Sequence, residues 1–263
     1  MTDMDTLPDP DHEPVVAETP VKDPGLDPDH SKRRSVRRWV LRLTLGLVIL
    51  LPVWFMLAGL GSRIGLWSWS FGLGTMTATL GPILLIATLV MGLISALLAF
   101  LIAPRRKGLL IALFAVLIPV IAFARLTSVR ATAAELPFIH DITTDTQDPP
   151  VFGATIMAER EATPGVNTVD YAGKRDREPD GKLVSALQTQ AYPNIRTLVL
   201  SSPPEAVFGR AEAAARDLGW AIKEADAASG RIDATDTTFW YGFKDDVAIR
   251  LRPAPGDGTR VDV

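Results

Sequence analysis

The sequence contains no cysteine, which removes disulfides, zinc ribbons, iron–sulfur sites and thiol catalysis together. Histidine is scarce: His12 and His30 lie near the N-terminus with no metal-ligand spacing, and only His140 lies further on. Neither sign of charge dominates, since 27 Lys and Arg face 30 Asp and Glu for a net charge of −3. Without a basic stripe to collect phosphates, nucleic acid is not an expected partner. Most informative is the absence of any charged residue from Ile64 to Ala103.

That stretch belongs to a block between Arg42 and Arg125 that is almost entirely apolar, broken by Arg63 and by Pro104-Arg105-Arg106-Lys107. A hydrocarbon core about 30 Å thick takes roughly 20 helical residues to cross, and lipid offers no partner to an unsatisfied backbone amide. The block therefore reads as three membrane-spanning helices, at about residues 39–60, 77–102 and 108–123. Trp67-Ser68-Trp69-Ser70-Phe71 with Gly72 and Gly74 reads as an interfacial loop, because Trp prefers the headgroup level. No ionisable residue sits mid-span, which removes the usual mark of an ion route and ranks a transporter third among the function classes. Lys32, Arg33, Arg34, Arg37, Arg38 and Arg42 precede the first span and Arg105, Arg106 and Lys107 follow the second, whereas only Arg63 follows the first. By the positive-inside rule the N-terminus is expected in the cytoplasm and everything after the third span on the opposite side.

Four segments follow: an acidic, Pro-rich leader ending in the basic run (1–38), the helical block (39–126), a wrapping segment with few regular elements (127–193), and an α+β domain (194–263). The leader repeats Asp and Pro and has too few large apolar residues to offset chain entropy, so disorder is expected. In the last segment residues 195–200 read as a strand and Ser202-Pro203-Pro204-Glu205 as a capping box. Val207, Ala211, Ala214 and Leu218 make one apolar helix face that stops at Gly219. Alternating strands around Ile222, Ile232, Ile249 and Val261 complete one helix laid on an antiparallel sheet.

Two constellations are candidates for function. His140 with Asp141 and Asp145 has the residue types of a general acid–base pair or part of a metal site. The plainer reading, which we favour, is that these aspartates and Thr143 and Thr144 close turns through side-chain hydrogen bonds. The other constellation is Asp236, Phe239, Trp240, Tyr241, Phe243, Lys244 and Asp246. Four aromatics within five residues exceed what one strand face buries, which suggests a ligand pocket or a rim touching the membrane; equally open is that they fill space beneath the wrapping segment.

Ile139-His140-Asp141-Ile142-Thr143-Thr144-Asp145, Pro149-Pro150-Val151-Phe152, Ala191-Tyr192-Pro193, and the run from Arg231-Ile232-Asp233-Ala234-Thr235-Asp236 through Phe239-Trp240-Tyr241-Gly242-Phe243-Lys244-Asp245-Asp246 together resemble the family catalogued as domain of unknown function 1499. The resemblance covers about residues 137–263 and implies a bacterial protein of the cytoplasmic membrane, with no established activity to carry over. It further implies more strand and a closing helix beyond Val263, so that Val261 and Val263 would stand on an uncovered sheet edge. The preferred reading is a membrane-anchored, extracytoplasmic binding or structural module of the cell envelope. Its partners are the lipid bilayer and an unknown envelope ligand or protein, with no cofactor expected. The alternative is a small hydrolase or metal-assisted enzyme using His140, Asp141 and Asp145.

Overall fold

A computed structural model describes residues 28–176 and 181–263. The leader expectation, up to residue 27, falls outside the described residues. Three helices are long and apolar enough to cross a membrane, and they precede an antiparallel sheet with a helix packed on it. The fold class expected from the sequence therefore holds, with boundaries that differ.

Helix α1 spans Pro28–Arg63, so the basic run is helical and extends the first span rather than ending the leader. A π-helix, Ser70–Leu80, continues directly into α2, Gly81–Leu101. The interfacial loop is thus shorter than expected: Trp67 and Ser68 lie in it, Trp69 caps the next helix, and Phe71, Gly72 and Gly74 are helical. The wider turn leaves carbonyls that local side chains take up. Thr77 Oγ1 donates to the Gly72 carbonyl and Thr79 Oγ1 to that of Gly74, each at 3.0 Å, while Trp54 Nε1 donates to the Met76 carbonyl at 3.0 Å. Gly72 is required there because a Cβ would stand 2.5 Å from the Ala58 carbonyl oxygen. Helix α3, Leu109–Ala134, runs past Arg125 and Arg130, so the wrapping segment begins later than residue 127. Across α1 and α2, Thr44 and Ser95 share a buried hydrogen bond of 2.7 Å, and a Cβ on Gly92 would lie 2.8 Å from that of Ala115 on α3. Small and hydroxylated residues do this because lipid supplies no hydrophobic drive between helices.

The wrapping segment holds two short helices, α4 (Ala154–Glu161) and α5 (Val184–Ala191). The sheet follows as β1 (Leu198–Leu200), β2 (Ala221–Asp226), β3 (Arg231–Thr237), β4 (Lys244–Ala254) and β5 (Gly258–Asp262), in the order β1-β5-β4-β3-β2 with every pair antiparallel. Strand β5 is not an edge, because β1 pairs with it. Val263 is also tied down: its N–H donates to Thr144 Oγ1 and its carbonyl accepts from the Thr144 N–H.

Helix α6, Pro204–Asp217, packs on one sheet face through Val207, Phe208, Ala211 and Ala215, against Ile222, Ile232, Ile249, Leu251 and Val261. The expected face was rotated, since Leu218 is 65% exposed and the contact runs one position away from Ala214. The capping box does not form. Pro203 is the N-cap and no side chain caps the helix, because the Pro203 carbonyl takes the Ala206 and Val207 N–H groups and Ser202 is turned so that its carbonyl accepts from Thr259.

The opposite sheet face is charged. Arg231, Asp233, Arg250, Arg252, Arg260 and Asp262 alternate with the apolar set and are covered by the wrapping segment, a direct consequence of the two-residue strand period.

Candidate functional site

The β3–β4 turn carries the aromatic run, and it reaches the end of the helical block. Arg63 Nη1 donates to the Thr238 carbonyl at 2.6 Å, and its guanidinium lies 6.0 Å from the Phe239 ring centroid. The hydroxyls of Thr77 and Tyr241 are 2.7 Å apart. Trp69 meets Phe243 edge to face at 5.8 Å, and Trp240 lies so close to Gly59 that a Cβ there would stand 2.6 Å from its ring. Two consecutive left-handed residues, Tyr241 (φ 61°) and Gly242 (φ 67°), make this reach possible. For Tyr that conformation costs about 1–2 kcal/mol, and the Thr77 bond and the Phe243 ring beside it hold the residue there. These contacts seat the domain on its own helices. Phe239 (64% exposed) and Trp240 (46%) still present apolar surface beside Trp69, where an interfacial belt would lie. Of the polar members, Asp236 pairs in register with Asp245 and Lys244 with Thr237 at the strand ends, away from His140.

Asp246 points elsewhere. It accepts from Arg160 Nη1 at 2.6 Å and from Thr235 Oγ1 at 2.9 Å, and it shares with His140 and Asp141 a cavity of about 200 Å³ where the strap of residues 140–152 crosses β4. His140 is exposed and its ring packs edge to face on Phe138, with centroids 4.8 Å apart. Among the described residues no hydrogen bond joins His140 to Asp141 or Asp246. Asp141 forms an ion pair with Lys174. An adjoining cavity of about 390 Å³ shares the walls Pro149, Pro150, Phe152, Val169 and Tyr171. Behind these walls Gln188, fully buried on α5, accepts from the Tyr171 hydroxyl at 2.7 Å and from the Thr143 N–H at 3.1 Å, and donates to the Thr143 carbonyl at 2.6 Å. Burial, with the Asp141 charge nearby, pushes the Tyr171 phenol above its ordinary value of 10.0.

Asp145 is not in this cavity. It accepts the N–H groups of Gln147 (3.2 Å) and Asp148 (3.0 Å) and faces the arginines of the charged sheet face, with Arg252 at 3.0 Å, Arg260 at 3.5 Å and Arg250 at 3.6 Å. Burial opposes ionisation, yet the two backbone donors and Arg252 hold the carboxyl below its usual 3.8. Further along the strap, buried Asp233 accepts the Gly153 N–H at 2.8 Å and pairs with Arg231 at 3.3 Å; burial pushes its carboxyl up. A Cβ at Gly153 would collide with that carboxylate, so the strap can lie this close only with glycine. Among the described residues no three His, Asp or Glu side chains are grouped to hold a metal ion.

Of the sequence candidates, His140, Asp141 and Asp246 come together, Asp145 serves the strap, and Phe239, Trp240, Tyr241 and Phe243 dock the domain. Sequence reasoning missed Tyr171, Gln188 and Asp233. The signal for Asp233 was a lone acid inside the apolar-flanked strand Arg231-Ile232-Asp233-Ala234.

Three membrane-length helices thus carry a strapped α+β domain fixed to one end of the block. Residues 141–263, which make up nearly all of that domain, match the family described as Protein of unknown function (DUF1499). No curated protein and no solved structure matches the chain.

Proposed function

We propose that the protein is a binding module of the bacterial cell envelope, anchored in the cytoplasmic membrane with its N-terminus inside and its domain outside. It takes its ligand in the groove where the strap crosses β4. The observation that carries this reading is the pair of adjoining cavities sharing the wall Pro149, Pro150, Phe152, Val169 and Tyr171, with His140, Asp141, Thr143, Asp170 and Asp246 as polar groups around it. Apolar walls with sparse, fixed polar groups are the usual make-up of a small-ligand site. Docking on the helix ends supports the anchoring role, since it holds the groove at a set distance from the bilayer.

Because the chain has no cysteine, single cysteines test the placement. One at exposed Asn167 should react with a membrane-impermeant maleimide in permeabilised-envelope cells and one at Arg105 should not; the reverse pattern would overturn the orientation. For the groove, native mass spectrometry of the full chain released from membranes should show a bound small species that Phe152→Ala loses. An identical spectrum from the variant would contradict the site.

A second reading, a small hydrolase or metal-assisted enzyme, is favoured by one observation: His140, Asp141 and Asp246 line the same open cavity. Against it, Lys174 and Arg160 already neutralise both carboxylates. A folded His140→Ala protein that loses its cellular phenotype, beside a functional Phe152→Ala protein, would favour the enzyme.

A further inference from the structure

The end of the helical block away from the domain holds a cavity of about 350 Å³ with no acidic lining residue among the described residues. Its walls come from two segments far apart in sequence: Arg34, Arg37, Arg38 and Leu41 on α1, and Pro104 and Lys107 from the connection between α2 and α3. Positions 34, 38 and 41 fall on one helix face by the three-to-four-residue spacing. This places the Arg34 and Arg38 guanidiniums as like charges one turn apart, an arrangement that repels in the absence of a counter-ion. Arg37 is only 8% exposed and donates to the Lys107 backbone carbonyl, which fixes the connection against α1 and sets Lys107 opposite the two arginines. Below lies an apolar floor: Leu41 packs against Gly108, whose left-handed φ of 84° turns the chain into α3. Trp39, 60% exposed and covered by the Arg42 guanidinium at 5.4 Å, marks the headgroup level beside the cavity.

We propose that this cavity seats the phosphodiester of an anionic phospholipid from the surrounding leaflet. Arg34, Arg38 and Lys107 bind the phosphate, Leu41 and Pro104 receive the first carbons of the lipid, and Arg37 positions the connection. A topology signal needs only basic residues in the flanks; it does not need two flanks locked together around a cavity with an apolar floor. Basic pockets between membrane helices have the chemistry that anionic headgroups require. The inference is independent of the groove and of what the domain binds.

The test uses the full chain purified in a neutral detergent, with its melting temperature followed as lipid is added. Phosphatidylglycerol should raise the melting temperature in a saturable way and phosphatidylcholine should not. Inorganic phosphate at the same concentration separates the two sources of the anion, and an equal rise with phosphate alone would overturn the lipid assignment. Arg34→Gln with Arg38→Gln should weaken the phosphatidylglycerol effect by roughly tenfold or more, the scale expected for two basic side chains acting on an anionic lipid. Arg125→Gln with Arg130→Gln, removing two charges at the other end of the block, should leave it unchanged. Equal losses in both double variants would reduce the effect to general charge and end the proposal, as would no response to phosphatidylglycerol. Circular dichroism of each variant verifies that the helices are intact.

Discussion

The two ends of the helical block are closed by opposite means. At one end the chain supplies its own cover, with Arg63 on the Thr238 carbonyl, Thr77 on Tyr241 and Trp240 on Gly59. At the other, Arg34, Arg38 and Lys107 line a cavity with no acidic lining residue among the described residues. One end is specified by hydrogen bonds, one of them from the Arg63 guanidinium to a carbonyl, and by ring contacts, which fix a geometry; the other by basic groups that meet no acidic lining residue among the described residues, which favours a counter-ion. Stability of the docked end should therefore respond to shape and very little to salt, whereas the open end should respond to salt and lipid.

The largest expected effect is at the docked end. Trp240→Ala removes the ring that lies on Gly59 and Phe239, and should destabilise the docked state by about 2 kcal/mol, below the range for a fully buried aromatic because Trp240 is partly exposed. Thermal melting of the full chain measures it, and Arg38→Ala at the open end should leave the same melt unchanged when no anionic lipid is present.

Acid should separate the docking contacts from the strap that carries the domain. Asp145 titrates lower folded than unfolded, so its contribution is present above the unfolded value of 3.8 and is lost as pH falls through the folded value. Loss of strap protection in hydrogen exchange should begin below about pH 4 in the wild type. Asp145→Asn should be destabilised by about 1–2 kcal/mol at neutral pH and should lose that acid step. An acid step that persists in the variant would assign it to other carboxylates. Asp233 runs the other way: its raised value makes it most favourable at low pH and a cost as pH rises, so Asp233→Asn should have its mildest effect at neutral pH.

A smaller effect is expected of Tyr241→Phe, which deletes only the hydroxyl facing Thr77 and should cost about 1 kcal/mol. Thr77→Val also loses the bond to the Gly72 carbonyl and should cost more, and the double variant should cost no more than Thr77→Val alone if the Tyr241 hydroxyl serves only Thr77.

Much of this was legible in the sequence because it rests on period and composition. The charge-free run from Ile64 to Ala103 forces helices, and the alternation through Ile249 and Leu251 places the core under α6. The aromatic run was legible as excess apolar surface, but its partners were not. Thr77 is separated from Tyr241 by 164 positions and Arg63 from Thr238 by 175, and no local rule links them. The capping box failed for a related reason: with Pro203 supplying the first accepting carbonyl, the Ser202 side chain was not needed as a cap. Likewise Asp141 and Asp145, four residues apart, look like one cluster, yet the strap turns between them, and one meets Lys174 while the other meets Arg252.

The central claim is that the hairpin tip is seated on the helix ends, and a disulfide tests it most directly. A Cβ built on Gly242 stands 3.6 Å from that of Arg63, within the 3.5–4.5 Å or so that a disulfide spans. In this cysteine-free chain, Arg63→Cys with Gly242→Cys should lose both thiols on mild oxidation in membranes, with an intact mass lower by the two hydrogens removed. The left-handed backbone at Gly242 makes the substitution cost about 1–2 kcal/mol, too little to prevent closure if the ends are docked. Two thiols that stay reactive toward maleimide after oxidation would contradict the docking.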